Sequence, residues 1–327
     1  MSIKKIDKTY KLNKMKKIRE QKFSLITEVL RGIGQIMLQE NSLTGLFFTI
    51  GLFMGSLSMG IAVLFAAFTG TLTARFLKYD QKEITMGLYG FSPALVGVAL
   101  IFLFKNELLI WICIFLGSIA AAVIQHFFIQ KKIAVFTFPF ILVTWILVTL
   151  LHQFTNISPS DAFMNVPDLS NIDSFTSETN GFGEVIFQAN IWAGLLFFIG
   201  VYINSPIAAL YGLLGSAISS AISFHGHEPI NEIHMGLFSF NAVLCSIVFA
   251  GTKKIDGILV VLSVVICVII NIGLVNAKFE ILQNAGGAFT LPFVIATCMV
   301  LPLKDRKDKL EIFLKNITAE KTASKIT

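Results

Sequence analysis

Charge is scarce in this chain. Asp, Glu, Lys and Arg make up 14% of the 327 residues, against about a quarter in soluble globular chains. That shortage excludes an ordinary water-soluble fold. An apolar share of 55% and a mean hydropathy of +0.76 place the chain in a membrane instead. Cysteine is sparse too: Cys113, Cys245, Cys267 and Cys298 all lie inside apolar runs, without Cys-x-x-Cys spacing. They read as small packing residues in helices, not as a disulfide framework or metal site. A secretory signal peptide is missing, because residues 1–22 are basic throughout and 23–40 is broken by Glu28 and Arg31 with no small-residue cleavage site. The net charge of +6 does not point to nucleic acid, since the basic residues sit in short runs between and beyond apolar segments, as orientation signals do. Inside the spans there is no Ser/His/Asp set and no carboxylate pair, so an intramembrane enzyme lacks its machinery. Nor is a cofactor implied. His126, His152, His225, His227 and His234 form no ligand cluster on one helix face; His225, His227 and Glu228 share an expected external loop that would take a metal only adventitiously.

What the chain does contain is a duplication. Gln35 stands opposite Glu184, Asn41 opposite Asn190, Gly45 opposite Gly194, Gly87 opposite Gly236, Phe91 opposite Phe240 and Leu95 opposite Leu244. The offset is 149 each time (184 − 35, 236 − 87, 244 − 95). A duplicated, strongly apolar half points to a transporter or channel with its path between the repeats.

Apolar runs fall at roughly 42–56, 58–76, 84–104, 108–130, 133–152, 189–204, 206–224, 233–251, 256–275 and 287–303. At ~20 residues per crossing the expectation is an all-α polytopic membrane protein of about ten transmembrane helices. Basic clusters test this count. The tail 1–22, then Arg75, Lys78 and Lys82 after two runs, Lys131 and Lys132 after four, Lys253 and Lys254 after eight, and Lys304 to Lys309 after ten all fall on one side. By the positive-inside rule that side, with both termini, is cytoplasmic; only Lys105 and Lys278 break the pattern. The linker 153–183 has no Lys or Arg and reads as a polar external loop. Five spans per half is odd, so the halves 23–152 and 184–303 must insert in opposite directions as inverted-topology repeats with a pore between them. The segment 23–40 is too polar to cross and reads as an interfacial or half-penetrating helix.

Three repeated motifs could carry chemistry. Gly87–Gly97 (GLYGFSPALVG) and Gly236–Ser246 (GLFSFNAVLCS) each set a Phe and a Leu four residues apart, on one helix face; they are packing residues or a pore lining. Gln35 to Leu38 faces Glu184-Val185-Ile186-Phe187, a pair of acceptor-bearing side chains that are solvated termini or groups at pore mouths. Thr137-Phe138-Pro139-Phe140 faces Thr290-Leu291-Pro292-Phe293. A Thr two residues before Pro either adjusts a kink by back-bonding to a carbonyl or meets its repeat partner near the pseudo-twofold axis.

At these motifs the chain resembles the urea transporter family. The resemblance rests on Arg-Gly-Ile-Gly-Gln at 31–35, Asn-Ser-Leu-Thr-Gly-Leu from Asn41, Gly-Leu-Tyr-Gly-Phe from Gly87, Phe-Asn-Ala-Val-Leu from Phe240 and both Thr-x-Pro-Phe motifs, and covers roughly 25–303. It implies passive transport of urea through a pore in each protomer of a homotrimer in the cell (inner) membrane. It also implies that Gln35 and Glu184 accept hydrogen bonds from urea at the two mouths. Phe91, Leu95, Phe187, Phe240 and Leu244 would form flat slots, with Leu38 and Val185 beside them, and Thr137 and Thr290 would hydrogen-bond solute at the constriction.

The chain departs from the family pattern where Ser92-Pro93 replaces Asn-Gly, where Leu38 stands for an aromatic, and at Asn41-Ser42 and Asn190-Ile191 in place of Asn-Pro. The first half is the more altered, so a wider slot there is expected. A channel for a related small amide and an ion-coupled transporter of a small neutral solute stay open as alternatives. The second would need a buried ionisable group near the midplane, and only Glu28, Glu40 and Glu184, at span edges, come near.

Overall fold

The computed structural model describes residues 24–304 except 165, 166 and 170. Both basic tails, 1–22 and 305–327, lie outside the described residues. Among those residues the only extended pairing is one isolated bridge, Phe104 to Pro159; the rest is helix and connecting turn.

The first half runs through α1 (24–34), α2 (Ser42–Gly55), α3 (Leu57–Phe76), α4 (Gln81–Thr85), α5 (Phe91–Leu103), α6 (Leu108–Gln130) and α7 (Phe138–Phe154). A linker with one turn of helix, α8 (Asp161–Met164), leads to α9 (Ser174–Glu184), α10 (Ile191–Asn204), α11 (Pro206–His225), α12 (Ile230–Met235), α13 (Phe240–Phe249), α14 (Lys254–Ala277), α15 (Glu280–Asn284) and α16 (Leu291–Lys304). The starts of α10, α11, α12 and α13 lie 149 residues beyond those of α2, α3, α4 and α5 (191 − 42, 206 − 57, 230 − 81, 240 − 91). After α14 the offset becomes 153 (291 − 138), because the second half inserts α15.

Local chemistry recurs at the same offset. Asn41 caps α2 by accepting from the amides of Leu43 and Thr44, and Asn190 caps α10 from Trp192 and Ala193. Ser56 and Ser205 cap α3 and α11. Arg31 donates to the Thr85 carbonyl at 3.0 Å, and its counterpart Asn180 donates to the His234 carbonyl at 2.8 Å. Each cap satisfies donors that a helix start leaves orphaned.

Helices α3, α6, α11 and α14 have 20, 23, 20 and 24 residues and are long and apolar enough to cross a membrane. Six shorter apolar helices, α2, α5, α7, α10, α13 and α16, accompany them. Outward-facing Ile61, Phe68, Ile112, Ile258 and Ile269 are exposed, as lipid-facing side chains are. At the centre α2 packs on α10, where Phe48 and its counterpart Phe197 meet edge to face at 5.1 Å. Gly51, in the Gly51-x-x-x-Gly55 pair, makes room for this: a Cβ there would stand 2.5 Å from the Phe197 ring. On either side α3 packs on α5 and α6, and α11 packs on α13 and α14.

Four apolar runs are not continuous helices. Runs 84–104 and 233–251 each break into a short helix and a longer one, turning at Gly87 (φ 81°) and Gly236 (φ 92°). Only glycine takes that conformation without strain, and these turns lie against the α1 and α9 backbones, where an added Cβ would come within 2.5 and 2.7 Å. Runs 133–152 and 287–303 become helical only at Phe138 and Leu291. Pro139 and Pro292 explain this, since a residue without N–H starts a helix but cannot continue one. The Thr-x-Pro motifs are therefore helix beginnings and not mid-helix kinks.

The linker expectation also needs correction. Its last third is the helix α9, buried from Thr179 onward and packed on α10, α11, α12 and α13. A composition of Ser, Thr, Asn and Gly hid it from an apolar-run reading. Asp173 starts α9 by accepting from the amide and hydroxyl of Thr176, and these bonds hold its carboxyl below the usual carboxylate range.

Candidate functional site

Helices α7 and α16 begin at equivalent places, each preceded by an aromatic residue in the left-handed region: Phe136 (φ 48°) and Phe289 (φ 49°). That turn sets the next residue, Thr137 or Thr290, at the helix start. The two hydroxyls meet at 2.7 Å, and both residues are buried, at 3% and 2% exposure. One hydroxyl donates to the other, so the pair retains a free O–H and spare lone pairs. It offers a donor and acceptors together, without charge.

A cavity of ≈ 240 Å³ lies on one side of this pair, walled by Gln35, Leu38, Leu88, Phe91, Phe136 and Thr137. A second cavity, of ≈ 290 Å³, is walled by Glu184, Phe187, Leu237, Phe240, Gly286 and Phe289. Five pairs on the two walls are repeat counterparts: Gln35 and Glu184, Leu38 and Phe187, Leu88 and Leu237, Phe91 and Phe240, Phe136 and Phe289. Helix α5 reaches both, with Phe91 at the first and Phe102 at the second, about 16 Å apart at 1.5 Å per residue. The Thr137–Thr290 bond joins a wall residue of the first cavity to the chain neighbour of Phe289 in the second.

The polar groups at the walls are poised differently. Gln35 donates its amide N–H to the Met86 carbonyl at 2.9 Å, which leaves Oε1 to accept. The Glu184 carboxyl, 9% exposed, has no hydrogen-bond partner among the described residues. Around the second cavity Phe187 lies 5.3 Å from Phe102, 6.0 Å from Phe289 and 6.4 Å from Phe140. Around the first, Phe136 meets Phe293 at 5.2 Å.

Of the residues singled out in the sequence, Gln35, Leu38, Phe91, Thr137, Glu184, Phe187 and Phe240 line these cavities. Leu95 and Leu244 are fully buried one turn deeper than Phe91 and Phe240, and Val185 is 2% exposed in the packed core and on neither wall. A wider first cavity does not follow from Leu38: the first cavity is the smaller, since Gln125, Phe136 and Phe293 stand around it. Phe136, Phe289 and Gln125 were missed. Reading the Thr-x-Pro-Phe motif one residue further back would have found the two aromatics, because Phe precedes Thr in both halves.

The Ser92 departure has a local consequence. In the second half Asn241 spans the α16 start, donating to the Phe289 carbonyl and accepting from the Phe293 amide, both at 3.2 Å. In the first half Ser92 is too short for that role, and its buried Oγ has no partner. Among the described residues there is no group of three or more His, Cys, Asp or Glu placed to hold a metal.

An all-helical chain with apolar spans and paired internal cavities defines a multi-pass membrane protein with solute-sized spaces inside it. The sequence profile of the family described as Urea transporter matches residues 26–305, and the chain belongs to that family, one of membrane transporters and not of enzymes. It is 24% identical to Urea transporter 1 of Ovis aries over 310 residues, 90% of this chain and 81% of that protein. The values for Urea transporter 1 of Capra hircus are the same. Urea transporter 1 of Rattus norvegicus is 25% identical over 238 residues, 68% of this chain and 62% of that protein.

Proposed function

We propose that this protein conducts urea passively, through a pore that runs within each protomer between the two cavities. The observation that carries this reading is the Thr137–Thr290 hydroxyl pair, buried between matching aromatic-walled cavities. Stripping an amide of water without replacement costs ~2–7 kcal/mol, so a urea path needs acceptors and donors along its length. Flux also requires release, and a neutral hydroxyl pair binds weakly enough to let the solute go. In this reading Gln35 and Glu184 accept urea N–H at the mouths. Phe91 with Leu95, Phe240 with Leu244, and Leu38 and Phe187 beside them shape flat slots for a planar solute, with Val185 packed behind them.

The same reading takes the ten apolar helices as ten spans, in two five-span repeats of opposite insertion related by an axis through the α2–α10 contact. Its support is the repeated caps, turns and packing at one offset. The first repeat occupies 23–152. The second begins with α9, because α9 stands to α10–α13 as α1 stands to α2–α5, which leaves about 153–173 as the external linker. The Lys and Arg distribution assigns Gln35 and the first cavity to the cytoplasmic side of a bacterial-type inner membrane, with both tails, 1–22 and 304–327, in the cytoplasm. A homotrimer in lipid completes the assembly, and urea is the partner.

Stopped-flow light scattering of proteoliposomes tests the function. Wild type is expected to pass urea quickly without an ion gradient, and Thr290→Val and Glu184→Leu are each expected to lose most of that flux. Wild-type flux no faster than empty liposomes, or flux only with an imposed ion gradient, would sink the reading.

A further inference from the structure

One polar group at the first cavity belongs to none of the repeated motifs. Gln125, on α6, is 7% exposed and helps to wall that cavity together with Gln35, Phe91 and Thr137. Its Oε1 is buried without a hydrogen-bond partner, and its amide nitrogen makes no hydrogen bond to any described residue. Buried primary amides are otherwise paired. Here one stands bare against a solute-sized space.

Its repeat counterpart is engaged where Gln125 is not. The counterpart of Gln125 is Asn271, since α14 starts 146 residues after α6 (254 − 108); Asn271 is buried and donates its amide to the Leu237 carbonyl at 3.2 Å, a bond that Gln125 does not make in the first half. The other amide at the first cavity is already half engaged: the Gln35 N–H goes to Met86, and only its carbonyl oxygen is free. Gln125 has its N–H donor free, while its Oε1 is sealed from the cavity.

We propose that Gln125 is a specificity-determining residue of the first mouth, which donates its amide N–H to the carbonyl oxygen of a carboxamide solute. Gln35 accepts from such a solute, and Gln125 donates to its carbonyl oxygen. The solutes it selects are small planar amides with an N–H and a strong oxygen acceptor on adjacent atoms. Thiourea keeps the N–H groups but replaces that oxygen with sulfur, a weaker acceptor, and gains less from Gln125. The inference rests on the pore reading above and adds to it a polar contact at the first mouth, where the amide of the counterpart Asn271 is instead taken up by the Leu237 carbonyl.

The test compares urea and thiourea permeability in proteoliposomes of wild type, Gln125→Met and Gln125→Leu. Methionine keeps the length of the side chain and removes its hydrogen bonding, and leucine is a shorter apolar replacement. Thermal unfolding in detergent, recorded alongside, identifies a variant that has failed to fold. Urea flux is expected to fall roughly three- to tenfold in Gln125→Met, as for one lost neutral hydrogen bond, with thiourea flux falling less, so that the urea-to-thiourea ratio drops. An unchanged urea flux overturns the proposal, and so does a parallel loss of both solutes, which is the signature of a packing role alone. Wild type that fails to pass urea instead overturns the pore reading, a different outcome from either.

Discussion

At the scale of single residues, the two halves differ in how they satisfy the same helix start. Asn241 ties the Phe289 carbonyl and the Phe293 amide to α13, whereas Ser92 leaves the equivalent start of α7 untied. Replacing Asn241 with the residue the first half carries strips two buried backbone groups of their partners, each worth about 1–3 kcal/mol when left unmade. Asn241→Ser is therefore expected to lower the unfolding temperature in detergent and to loosen the position of Thr290; an unchanged transition would show that the bonds carry no weight. Which site residues were legible follows from the same duplication. Gln35 and Glu184 stood out because a constant offset set polar against polar in an apolar chain, and the two threonines because Thr-x-Pro-Phe recurs in both halves. Gln125 did not, because the offset shortens to 146 between α6 and α14 (254 − 108), so a comparison held at 149 sets it against Leu274 and misses its counterpart Asn271. The left-handed turns at Phe136 and Phe289 are backbone facts with no composition signal of their own.

Among the elements, α1 and α9 are the least like spans and the most instructive. Sequence hydropathy found α2, α3, α6, α10, α11 and α14 with errors of a few residues at their ends, because each is an uninterrupted apolar run. It set α1 apart as too polar to cross, and it lost α9 inside a linker, because neither buries its polar residues in the pattern of a crossing helix. Several of their polar groups are paired inside the protein instead, though on α9 the Asn180 Oδ1 is not. Glu28 on α1, 1% exposed, meets Arg75 of α3 at 2.7 Å and also accepts from the Ser24 hydroxyl at 2.8 Å. In Arg75→Leu that carboxylate stays buried without its cation, at a cost of roughly 3 kcal/mol, the low end for a broken buried pair because Arg75 is partly exposed. The expected result is a clear drop in the unfolding temperature, most of it recovered when Glu28→Gln is added to Arg75→Leu. If the double variant is no more stable than the single one, the ion pair is not what anchors α1 to α3. The proline-started helices belong to this scale too: Pro139 and Pro292 were visible in the sequence, but whether each ended a helix or began one was decided by the turn before it.

For the whole molecule, the account reduces to one geometric statement: two halves of a duplicated chain bring their threonines together between matching cavities, and the solute path crosses that contact. In the described state the two hydroxyls are bonded to each other, so a passing solute has to replace their bond with its own. The most direct measurement joins them covalently. Each threonine is replaced by cysteine in a background with Cys113, Cys245, Cys267 and Cys298 changed to alanine, and urea flux into proteoliposomes is followed before and after oxidation. The account predicts that Thr137→Cys/Thr290→Cys conducts when reduced, stops when oxidised and recovers with reductant, while neither single variant responds. A double variant shown to be fully cross-linked that still passes urea at its reduced rate would contradict it, and the path would have to run elsewhere.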